Sequence, residues 1–79
     1  MTEIRETLTA IIAEQLSIKP TDIKFGSILV DDLGADTLDL IEIQLEIDER
    51  LDVSISDTDI DRVETFGALC GLVARLAGE

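Results

Sequence analysis

Histidine is absent from the 79 residues, and with it go histidine-based catalytic triads, histidine metal ligands and proton shuttles. A single cysteine, Cys70, leaves no intramolecular disulfide framework to build. Tryptophan and tyrosine are missing and only Phe25 and Phe66 are aromatic, so the core is aliphatic and favours helices over a sheet. No apolar run approaches the ~20 residues of a membrane span. The opening stretch Met1-Thr2-Glu3-Ile4-Arg5-Glu6 lacks a basic, apolar leader, so a cytoplasmic protein is expected. Basic residues are scarce. Six Lys and Arg stand against 18 Asp and Glu, a net charge of -12. Such a surface repels nucleic acid and anionic membrane, and it suits basic protein surfaces and, weakly, divalent cations.

What is present is a hydrophobic fraction of 46%, enough for one folded domain over residues 1–79. Ile4, Leu8, Ile11, Ile12 and Leu16 recur with the helical period, predicting a helix over 3–16 with Thr2 as cap. Residues 17–35 hold Pro20, Gly26 and Gly34 among scattered apolar side chains, which predicts a long loop packed onto the helices. A second helix is expected over 37–51 with Asp36 as cap and Asp39 at the third helical position. Leu40, Ile43, Ile47 and Leu51 share one side of it and Leu38, Ile41 and Leu45 another, so it should be central. Asp39, Glu42, Glu46 and Glu49 form an acidic stripe between them. In the connector 52–64, Ser56 or Asp57 can cap one short helical turn, and Thr65 caps a last helix over 66–77. Phe66, Leu69, Cys70 and Val73 share a face of that helix, which makes Cys70 a core residue. The expected architecture is all-α: three main helices, one short helix and a long first loop.

Residues 31–64 hold thirteen acidic residues against Arg50 and Arg62, nearly all of the net charge. The run Asp57-x-Asp59-x-Asp61 opens like a calcium loop, but Arg62 and Ala68 stand where such a loop needs glycine and a bidentate glutamate, so no metal site is expected. The most informative stretch is Asp32-Leu33-Gly34-Ala35-Asp36-Thr37-Leu38-Asp39. Gly34 turns the chain, Asp36 caps the helix, and the Thr37 hydroxyl sits at the first helical position, where unpaired backbone N–H groups favour a phosphate. Threonine at a helix start is, by residue type alone, more often structural than functional.

This run resembles the modification site of acyl carrier proteins, which have Asp-Ser-Leu there, preceded by Leu-Gly-Ala or similar. The likeness extends through Ile11–Leu16, Val30–Asp36, Leu38–Ile43, Asp48–Val53 and Thr65–Leu69, and so over essentially the whole chain. It implies an acyl-carrier-type four-helix bundle, and without histidine and with Cys70 on the apolar face of the last helix no nucleophile–base pair can be built, so no enzyme activity is expected. It also implies a 4′-phosphopantetheine arm, received from coenzyme A by the hydroxyl after the Asp, whose thiol carries acyl groups for fatty acid or polyketide-type synthesis. Residue by residue, Asp36 matches the acid before the site and Thr37 the attachment position. Asp39, Glu42, Asp48 and Glu49 match the acidic docking positions, and Glu46 extends the stripe. The partners implied are a phosphopantetheinyl transferase and acyl synthases and acyltransferases with basic patches, met by a monomer. Leu40, Ile43, Ile47, Phe66 and Leu69 would line the space for an acyl chain.

The family's serine is threonine here. The added methyl makes a secondary alcohol, crowds in-line attack on the coenzyme A pyrophosphate and restricts χ1. The alternative reading is therefore an unmodified, apo carrier-like protein, natural or substituted at this position, that docks basic partners through its acidic helix.

Overall fold

The computed structural model describes residues 2–78, with side chains from Glu3 onward. Helix α1 (Thr2–Leu16) buries Ile4, Leu8, Ile11 and Ile12, the face the periodicity picks out. The Thr2 side chain, expected as cap, lies outside the described residues, and the Thr2 backbone is already helical. The helix ends because Ser17 adopts a left-handed φ of 57° and the Ile18 N–H turns back to the Ala13 carbonyl at 3.1 Å. That closure satisfies carbonyls the last turn leaves open.

The stretch from Ser17 to Asp36 carries one turn of 3-10 helix (Pro20–Asp22) and is otherwise irregular, yet it is pinned at many points. The Leu29 N–H donates to the Glu64 carbonyl, and the Phe66 and Gly67 N–H groups donate to the Ser27 and Phe25 carbonyls, each at 2.9 Å. These bonds tie the loop across the start of the last helix, where Ile28 and Thr65 form an isolated antiparallel bridge. Phe25 stacks on Phe66 with ring centroids 6.0 Å apart, and the Arg5 guanidinium lies 4.1 Å above the Phe25 ring. A length of irregular chain that exceeds ordinary connections is thus held by its own backbone bonds and by apolar anchors such as Ile23 and Leu29.

Helix α2 (Thr37–Leu51) starts and stops at the expected residues, capped by Asp36 and closed by Asp52 in a left-handed conformation. Helix α3 (Asp57–Arg62) is the short turn foreseen in the connector, capped by the Ser56 hydroxyl. Helix α4 (Phe66–Leu76) has Thr65 as cap, and Phe66, Leu69, Cys70 and Val73 are fully buried. The all-α bundle of three main helices, one short helix and a long first loop is therefore what the chain forms. Among the described residues no helix is long and apolar enough to cross a membrane.

The expectation that α2 is central needs correction. Ile43 and Ile47 are fully buried, but Leu38, Ile41 and Leu45 are 64%, 47% and 56% exposed. Helices α1 and α4 share the core with Ile43 and Ile47, while the Leu38, Ile41 and Leu45 face of α2 is left open to solvent.

Candidate functional site

The site grows from the entry into α2. The Val30–Gly34 turn is closed by the Gly34 N–H to the Val30 carbonyl at 3.1 Å and by the Ala35 N–H to the Leu29 carbonyl at 2.9 Å. Gly34 takes a φ of 78°, a left-handed conformation that glycine adopts without steric cost. Ala35 is buried, so the chain must re-emerge at Asp36, and there the helix begins. The Asp36 carboxylate accepts from the Asp39 N–H at 2.8 Å, and the Asp39 carboxylate accepts from the Asp36 N–H at 3.1 Å. This reciprocal capping box satisfies two end donors and sets the direction of the first turn.

Thr37 follows with its side chain exposed, and among the described residues its hydroxyl has no hydrogen-bond partner. The Thr37 and Leu38 N–H groups find no protein acceptor among the described residues either. An exposed hydroxyl beside two unpaired N–H donors at a helix start fits a phosphodiester at that oxygen, because those donors and the helix dipole favour negative charge. The hydroxyl also lies on the rim of a cleft of about 250 Å³ between α2 and α3, lined by Leu40, Ile41, Gln44, Asp57 and Ile60. The start of α2 thus combines unpaired N–H donors with a partly apolar groove beside the Thr37 side chain.

The acidic positions do not form one free stripe. Asp36 and Asp39 are committed to the capping box, and Asp39 is further held by the Gln15 side-chain amide of α1 at 3.2 Å. The backbone N–H of Asp36 and then Gln15 pull the Asp39 carboxyl below the usual range. Glu46 accepts from Arg50 at 3.0 Å, and Arg50 reaches across to Glu14 of α1 at 2.9 Å. Those contacts, Glu14 first, raise the Arg50 guanidinium above its ordinary value. Glu42, Asp48 and Glu49 remain exposed, with no side-chain partner among the described residues. At ~100° per residue they fall within roughly 120° of helix surface together with Leu38, Ile41 and Leu45. The structure thus joins the three unpaired acids to the exposed apolar residues and turns Asp39 and Glu46 toward α1.

Of the side chains expected to line an acyl space, Ile43, Ile47, Phe66 and Leu69 are fully packed in the core, and Leu40 lies on the cleft. Sequence reasoning passed over Gln44, whose amide bonds the Ile55 carbonyl and the Asp57 carboxylate across the cleft. Its signal was positional: on the helical wheel it falls within roughly 20° of Thr37. Cys70 is buried, and loss of solvation raises its thiol above the ordinary value despite the nearby Arg5, so it stays an unionised core group. Among the described residues no cluster of metal-ligating side chains is assembled.

The sequence profile of the family described as "Phosphopantetheine attachment site" matches residues 6–73. Over 62 residues the chain is 40% identical to the "Acyl carrier protein" of Clostridium acetobutylicum, a match that covers 78% of this chain and 80% of that protein.

Proposed function

Since the chain belongs to the acyl carrier protein family, we propose that its Thr37 hydroxyl is the attachment point of the family's 4′-phosphopantetheine arm. Membership makes the chain a carrier rather than a catalyst, with 4′-phosphopantetheine as its prosthetic group. When bound, that group supplies a terminal thiol on which acyl groups travel as thioesters.

The observation that carries the proposal is the setting of Thr37: exposed, without a competing bond, at the capped start of α2 and on the rim of a cleft. Asp36 and Asp39 hold the first turn, so the hydroxyl is carried on a fixed backbone position. The unpaired N–H groups of Thr37 and Leu38 receive the phosphate. With no histidine in the chain and Asp36 committed to its cap, the base that takes the hydroxyl proton belongs to the transferase. The exposed face of Leu38, Ile41 and Leu45 with Glu42, Asp48 and Glu49 is the docking surface. Apolar contact supplies affinity there, and the acids steer basic patches of the transferase, acyl synthases and acyltransferases toward it. The setting is fatty acid or polyketide-type synthesis in the cytoplasm, and the chain acts as a single-domain monomer that binds divalent cations weakly.

Intact-mass spectrometry tests the attachment, after incubation with coenzyme A and a broad-specificity phosphopantetheinyl transferase. A gain of one phosphopantetheine group mapped to Thr37, absent in Thr37→Val, is the expected result. An unchanged mass for the parent chain together with full loading of Thr37→Ser would overturn it. The β-methyl of Thr37 would then favour the second reading, an unmodified protein that uses the same α2 face for docking.

A further inference from the structure

Helix α3 is the common wall of two clefts of different sign. On the side of Thr37 it contributes Asp57, Ile60 and Asp61, and among the described residues no cation lines that cleft. On the side of α4 a second cleft of about 510 Å³ is lined by Arg62 of α3 and Arg75 of α4. Both stand in the last turn of their helices, where a cation suits the helix dipole. In a chain of net charge -12 they are set apart by what they lack. Of the four arginines, Arg5 lies over the Phe25 ring and Arg50 is paired with Glu14 and Glu46. Arg62 and Arg75 are exposed and pair with no carboxylate among the described residues. Asp59 is the one acid on the cleft lining, against these two bases. The floor beside them is apolar, from Val63 and Leu72, and it dips at Gly71, where a Cβ would meet nothing within 4 Å. The forked N–H donors of a guanidinium match a carboxylate, and such a floor matches an aliphatic side chain.

We propose that the α3–α4 cleft is a second docking surface, opposite in sign to the α2 face, and that it takes an acidic segment of a protein partner. Carboxylates of that segment meet Arg62 and Arg75, and an aliphatic side chain sits over Gly71. The overall charge decides between a protein segment and a free anion. A molecule of charge -12 repels a small acid before it arrives. A segment of a partner already engaged through its basic patch is instead delivered at high local concentration. The inference therefore rests on α2 as the docking face of the proposed function. A partner whose basic patch and acidic segment are spaced like α2 and this cleft fits in one orientation. A uniformly basic surface, which α2 alone would accept, meets like charges at Arg62 and Arg75.

The test is nuclear magnetic resonance on the isotope-labelled full-length chain at about 0.15 M salt, where a screening length of about 8 Å mutes the net charge but not direct contacts. Two short peptide probes are titrated, one alternating glutamate with leucine and one alternating lysine with leucine. The glutamate peptide should shift the amide signals of Val63, Gly71, Leu72 and Arg75, and the lysine peptide those of Leu38, Ile41 and Leu45. Replacing both arginines, Arg62→Gln with Arg75→Gln, should weaken the glutamate peptide by about tenfold and leave the lysine peptide within about twofold. Gly71→Leu, which fills the dip where a Cβ has open space, should weaken the glutamate peptide with both arginines kept. Equal affinity for the glutamate peptide in the parent and in the double variant, or shifts away from the α3–α4 cleft, overturns the inference. Equal shifts of these amides with sodium phosphate or glutarate also overturn it, in favour of a small-anion site. Shifts at both faces on concentrating the chain alone overturn it in favour of a second copy as the occupant. A lysine peptide that misses α2 overturns the docking face of the proposed function instead, so the two failures are told apart.

Discussion

Asp39 was read from the sequence as the third helical residue of α2 and as part of its acidic stripe, and its carboxylate accepts the Asp36 N–H and the Gln15 amide while its own N–H caps on Asp36. Because these bonds hold its folded pKa below the unfolded value of about 3.9, they stabilise the fold fully above that pH. The contribution is lost as pH falls through the lowered folded value. Melting curves across acid pH should therefore show a loss of stability below about pH 4 that is smaller in Asp39→Asn. Removing the cap itself, Asp36→Ala, should destabilise the chain by about 1 kcal/mol, read as a fall of several degrees in the melting temperature. Cys70 gives a third check at this scale. Buried and unionised, it should resist iodoacetamide at pH 8 in the folded protein and react fully in denaturant, as mass spectrometry would show.

Two glycines in α4, alike in sequence, differ in what surrounds them. A Cβ on Gly67 would lie 3.0 Å from the Phe25 carbonyl, the group that accepts the Gly67 N–H and pins the loop. Gly71 would meet nothing within 4 Å. Gly67→Ala should therefore lower stability by about 1 kcal/mol or more through overpacking against backbone. Gly71→Ala should raise it by about 0.5–1 kcal/mol through helix propensity. Denaturant titration of the two variants checks the opposite signs. Helix α2 shows the same dependence on context. Its boundaries, cap and two apolar sides were all legible from period and capping chemistry. That one side stays open was not, because a helical wheel records which residues share a face and says nothing about which neighbours meet it. Replacing Leu45 with Glu should accordingly leave stability within about 0.5 kcal/mol, since the residue is 56% exposed. The same change should sharply reduce the rate with a phosphopantetheinyl transferase, measured on the Thr37→Ser chain.

Across the whole molecule the charge of -12 acts on stability as well as on partners. Apart from Asp36, Asp39, Glu46 and a few other acids with local partners, the carboxylates of residues 31–64 have no side-chain partner among the described residues. Self-repulsion of this kind weakens the compact state and is screened by ions. Sodium chloride near 1 M, where the screening length is about 3 Å, should raise the melting temperature, and millimolar magnesium should do the same. An unchanged melting temperature across both titrations would count against self-repulsion as a determinant of this fold's stability.

The sequence by itself determined the helices, the caps of α2, α3 and α4, the aliphatic core and the Asp36-Thr37 position at the head of α2. Each of these depends on local chemistry: a period of 3.6 residues, a side chain able to accept an N–H, a glycine at a turn. Only the tertiary structure decided which acids are free, since Gln15 and Arg50 reach Asp39 and Glu14 from partners 24 and 36 residues away in sequence. It also decided that the long loop is pinned to α4, that Leu38, Ile41 and Leu45 face solvent, and that Gln44 bonds across to the start of α3. Those outcomes depend on which elements meet in space and how far each one reaches.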